Sequence, residues 1–287
     1  MYNRNSNFQN IINERNIKKF SENILNRNGY ENILKKLAGI GLAATLSELE
    51  RIDIRYIDIL DILTIIATRY AKVIPKSRGA ESGLYGFNVI QVDDRLDKSE
   101  QIATIIHELS HHLFAEIFEQ TMMVMLECDK TDAIESFVGY TLKQDRIMVL
   151  INEYCASTVE GRFIPFGYQN YGSFNNLLMT QFNPQRDMDL VHSALAIGNT
   201  FAQDIIKILE IMIPPEFREE IKMQYKRDFR RPESNGILLE THETVPEDFK
   251  YGFISTSIAI AMENASSGEF DQMLNEYETV FKKINRL

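Results

Sequence analysis

The chain has 287 residues, enough to bury a sizeable core in one large domain or two small ones. Its 44% hydrophobic and 25% charged content is that of an ordinary globular protein, and a net charge of −10 argues against binding nucleic acid or anionic membrane over the whole surface. Two cysteines, Cys128 and Cys155, exclude a disulfide framework and fit a reducing compartment.

The amino terminus, MYNRNSNFQN, lacks the apolar stretch of a secretory signal, and a cytoplasmic location is expected. Ten asparagines among the first 32 residues weaken helix preference, yet Ile11, Ile12, Phe20, Ile24 and Leu25 form a fragmentary stripe. A loosely attached helical arm is the expectation there. ENILKKLAGIG reads as a short helix closed by Gly39 or Gly41. From Ile57 to Tyr70 apolar residues recur at three- and four-residue steps, which predicts a stronger helix. This most apolar run is interrupted by Asp58 and Asp61 and is too short to span a bilayer.

The period then changes. AKVIP, GLYGF and NVIQVD are short, rich in β-formers and separated by glycine or polar residues, predicting a small antiparallel sheet. DDRLDKSEQ is the turn out of it. Asp97 and Glu100 have capping-box spacing, so a helix should begin near Ser99, with Ile102, Ile105, Ile106, Leu109 and Leu113 on its buried face. Further helices are predicted over 119–128, 132–141, 143–161, 188–212, 214–230, 247–263 and 268–285, most of them bounded by prolines. A basic stretch, KMQYKRDFRR from Lys222 to Arg231, reads as a solvated helix face, with a docking patch as the alternative.

The chemistry lies in TIIHELSHHL. One helical turn separates His107 from His111, so both imidazoles share a face and can bind one zinc ion. Zinc brings the pKa of its water near neutrality, and Glu108 follows the first ligand closely enough to take that water's proton as it attacks a carbonyl. His112 points away from the pair and reads as a packing residue. Catalytic zinc usually takes a third protein ligand. Glu153, in INEYCASTVEGRFIP, is favoured for this role over Glu160, Glu127 and Glu135; Glu160, seven residues on, shares its face and reads as a support behind the ligands or as surface. His192 and His242 stand alone. An oxyanion donor can come from Tyr154, Tyr168, Tyr171, His192 or His242, which the sequence does not rank. Cys155 reads as a buried structural thiol, and the edge of GLYGF can pair with an extended substrate backbone or simply form a tight hairpin.

Over residues 55 to 167 these segments resemble the ImmA/IrrE family of metallopeptidases. His107, Glu108 and His111 match its His-Glu-x-x-His helix. Glu153 and Ala156 match its Glu-x-x-Ala-Asn helix, with Ser157 where asparagine is usual and Pro165 near its expected place. The longer separation of the two motifs requires an insertion within 117–145. The resemblance implies zinc held by His107, His111 and Glu153, Glu108 as base, and a helix-turn-helix repressor as substrate, cleaved under stress or on a mobile or defence element. The expected architecture is a mainly helical α+β protein: a helical arm (1–54), a zincin-like metallopeptidase core (55–170) and a helical carboxy-terminal region (171–287). The expected function is that of a cytoplasmic zinc endopeptidase acting on a regulatory protein, without a membrane or direct nucleic-acid partner. A regulator that keeps the fold and acts by binding a repressor or DNA is the alternative.

Overall fold

The computed structural model describes residues 13–264 apart from 24, 52–57, 76–82, 87, 144, 184, 230, 233 and 240. They are mainly helical with one small sheet, and the helix expected over 268–285 lies outside the described residues. No helix among them is long and apolar enough to cross a membrane. Two compact units are present, one drawn from Met1–Ile33, Ala115–Val149 and Val245–Leu287, the other from Leu34–Phe114 and Leu150–Thr244. They are assembled from separated stretches rather than from the consecutive segments 1–54, 55–170 and 171–287.

The first unit holds α1 (Glu14–Glu22), α5 (Asp132–Lys143) and α10 (Glu247–Asn264). Contrary to the loose arm expected, α1 is tied down. Phe20 is buried, Lys19 bonds the Leu126 carbonyl at 3.0 Å and pairs with Glu127, and the Asn23 amide donates to the Met125 carbonyl. Asn13 caps the helix by accepting the Asn16 N–H. The unit also buries Glu116 and Glu119, both paired with Lys130.

The second unit carries the sheet. Helix α2 (Arg27–Arg51) does not stop at either glycine. A Cβ on Gly41 would fall 1.9 Å from Met212 Sδ and 2.6 Å from the Tyr70 hydroxyl, so this glycine serves a close approach between elements, not a cap. Helix α3 (Ile59–Thr68) starts where Asp58 accepts the Leu60 N–H, as the apolar spacing predicts. Strands β1 (Lys72–Pro75), β2 (Gly83–Gly86) and β3 (Val89–Val92) follow in the order β1-β3-β2. β2 and β3 form an antiparallel hairpin through Asn88, whose φ of 57° is the left-handed geometry asparagine tolerates. β1 pairs with β3 in parallel, which corrects the antiparallel sheet expected. β2 takes the far edge, leaving β3 in the middle with its backbone paired on both sides, antiparallel to β2 and parallel to β1.

After an Asx turn at Asp93, which accepts the Arg95 N–H at 3.0 Å, the chain enters α4 (Lys98–Leu126). Its cap is not the predicted box: the Ser99 N–H donates to Asp228 at 2.9 Å. Nor is 119–128 a separate helix, because nothing between Leu113 and Glu119 breaks the run and Phe114, Ile117, Phe118 and Met122 continue the buried face. Helix α6 (Arg146–Phe163) is followed by α7 (Gly172–Gln181), which the sequence reading missed, and then by α8 (Met188–Met212) and α9 (Pro215–Asp228). Most of α8 is buried. It backs the functional helices, with Phe201 edge-on to Phe114 at 5.1 Å and Gly198 so close to α6 that a Cβ would sit 2.9 Å from the Ile151 carbonyl. The basic side chains of α9 partner neighbouring acids, Lys222 with Glu219 and Arg227 with Glu220, in keeping with a solvated face.

Candidate metal centre

Helices α4 and α6 run antiparallel past one another at the site, since His107 meets Glu160 while the later His111 meets the earlier Asn152. The two ring Nε2 atoms face each other at 3.2 Å. The Glu153 carboxylate completes the group, one oxygen 3.7 Å from His107 Nε2 and the other 3.5 Å from His111 Nε2. One donor atom from each lies within 4.8 Å of the others, and among the described residues no other grouping of three His, Cys, Asp or Glu side chains is close enough to hold a metal.

The other ring nitrogens are engaged. His107 Nδ1 lies 2.9 Å from Glu160 Oε2, and His111 Nδ1 lies 3.0 Å from Asn152 Oδ1. Both partners are oxygen acceptors, so each Nδ1 donates, and in a neutral ring each Nε2 turns a lone pair toward the common point. Two lone pairs and a carboxylate converging there repel one another unless a cation lies between them. Two imidazole nitrogens and a carboxylate oxygen are the donors zinc takes. The residues fit the ion.

The carboxylates of the site favour positive charge at the same point, whether a proton on a ring or a cation. Burial opposes charge on His107, but Glu153 and Glu160 outweigh it and raise the imidazole well above its usual pKa. Burial pushes the Glu153 carboxyl up, yet His111 and His107 more than reverse this and hold it at about 2. Glu108 is 8% exposed, and its carboxyl is raised by burial against the lowering effect of the two histidines. The Glu153 side chain keeps 30% of its surface, the most exposed of the three converging groups.

Of the residues named from sequence, His107, Glu108, His111, Glu153 and Glu160 all belong to this site. Glu127 and Glu135 belong to the other unit. Tyr154 is committed elsewhere: its hydroxyl donates to the Leu239 carbonyl at 2.9 Å and accepts the Thr241 N–H at 3.2 Å. Tyr168 packs against Tyr225 and Phe229, while His192 and His242 are exposed. His112 is fully buried and edge-on to Tyr70, and Cys155 is fully buried with its thiol pushed up by that burial. β2 is an edge strand. Asn152 went unnoticed in the sequence, where an asparagine beside a glutamate carries no signal of its own.

Comparison of the chain with protein-family models, curated proteins and solved structures found no match.

Proposed function

We propose that this protein is a zinc-dependent endopeptidase with a zincin-like core. The observation that carries the reading is the convergence of His107 Nε2, His111 Nε2 and the Glu153 carboxylate on one point, with Glu108 on the same helix as the histidines. His107, His111 and Glu153 would hold the ion. Bound there, zinc would supply Lewis acidity that activates water and polarises the scissile carbonyl. Glu108 takes a proton from the attacking water as the new C–O bond forms, then passes it to the leaving nitrogen as the C–N bond breaks.

The resemblance of residues 55 to 167 to the ImmA/IrrE family supports a narrow substrate choice, with a helix-turn-helix repressor as the substrate class. The test is co-expression with the product of the adjacent gene, scoring cleavage for the parent chain and Glu108→Gln. The variant should keep its zinc, measured by metal analysis, and lose at least about a hundredfold in turnover. Full activity in Glu108→Gln would move the protein to the class of binding regulators.

A further inference from the structure

Helix α6 carries more of the site than its one carboxylate ligand. Asn152, Glu153 and Glu160 all project from it, and the first and last touch the α4 histidines without reaching the point where the ligand atoms converge. We infer that Asn152 and Glu160 are positioning residues that fix both histidines in the Nδ1–H form, and that the two do so with unequal electrostatic force.

Glu160 is 7% exposed and accepts from His107 as a carboxylate, a charged acceptor that also makes the ring a stronger donor toward a cation. Asn152 is neutral and accepts from His111 through its amide oxygen at 3.0 Å. The difference has a reason in the local charge. Glu108, Glu153 and Glu160 already crowd this centre, and a fourth carboxylate at 152 would add like-charge repulsion to the metal-free protein, which a bound cation would relieve. An amide supplies the acceptor alone. Without these two partners either ring can turn over, or shift its proton to Nε2, and no lone pair would meet Glu153.

The inference rests on the metal-site reading, and the experiment separates the two. Zinc affinity is measured by competition with a chromophoric chelator for the parent, Asn152→Leu, Asn152→Asp, Glu160→Leu and Glu160→Gln. The histidine tautomers of the zinc-loaded proteins are read by long-range ¹H–¹⁵N NMR. Both leucine variants should lose about 10- to 100-fold in affinity. Asn152→Asp and Glu160→Gln each keep an oxygen acceptor and should recover most of that loss with the Nδ1–H signature intact. In Asn152→Leu the signature of His111 should change while that of His107 stays.

If the leucine variants are folded by circular dichroism and bind zinc as tightly as the parent with unchanged tautomers, the positioning role is wrong while the metal site stands. A parent that takes up no zinc overturns both. A leucine variant that fails to fold leaves the decision to its polar counterpart: an affinity loss in Asn152→Asp or Glu160→Gln as large as that predicted for leucine overturns the role.

Discussion

Lys130 is one ammonium shared by two buried carboxylates, 2.6 Å from Glu119 and also paired with Glu116. Glu119 is the more buried of the two, and its burial favours the protonated form. Burial, then the neighbouring Glu116, raises Glu119 to about 8 against the pull of Lys130. Because the folded pKa lies above the unfolded one, the folded chain binds the extra proton. That contribution to stability is full below about pH 4.5 and is lost as pH rises through about 8. Glu119→Gln, which is neutral at every pH, should flatten the decline, and urea unfolding at pH 5 and pH 8 measures it. At the candidate metal centre the residue types were legible in advance because His-Glu-x-x-His is a local pattern: i and i+4 on a helix share a face whatever packs against them. Asn152 was not legible, since its partner lies 41 residues away and only the register of two helices brings them together.

Among the elements, α2 offers a paired test. Gly39 has nothing within 4 Å of where a Cβ would stand, so Gly39→Ala should stabilise by about 1 kcal/mol through helix propensity. Gly41→Ala gains the same propensity but drives a methyl into Met212 and Tyr70, and it should destabilise by about 1–3 kcal/mol. Thermal or urea unfolding of the two variants separates a space requirement from a helix stop. The sequence alone does not make that distinction, because the crowding residues come from α8 and from just after α3. The start of α4 has the same character. Asp228, 129 residues away, accepts the Ser99 N–H where a local capping box was expected. Burial pushes the Asp228 carboxyl up, but the Ser99 N–H, Gln224 and Lys98 together bring it below its usual value. A lowered folded pKa means stability that is present above about pH 3.8 and lost as pH falls through the folded value. Asp228→Ala should cost about 1 kcal/mol at neutral pH and progressively less in acid, followed by urea unfolding from pH 7 to pH 3. The strands were located correctly from composition, but the parallel pairing of β1 with β3 was not, because pairing order depends on which edge β2 takes.

At the scale of the whole molecule, zinc is expected to act as a folding ligand for the unit that contains the site. A hundredfold excess over the dissociation constant is worth about 2.7 kcal/mol, enough to raise the unfolding midpoint by several degrees. Differential scanning fluorimetry with zinc, with a chelator, and with His107→Ala should show the rise only in the first case. Consecutive domains were expected because chain order is the one guide a sequence offers. The stretch Ala115–Val149, between the two halves of the site, instead belongs to the other compact unit. Synthesis on the ribosome therefore delivers both imidazoles well before their partners, Asn152 following His111 by 41 residues and Glu160 following His107 by 53. A nascent chain stalled between them presents two nitrogens and no carboxylate from α6, too few donors to retain the ion against cellular chelators. On the proposed function, metal loading and peptide hydrolysis would begin only once α6 has emerged and docked.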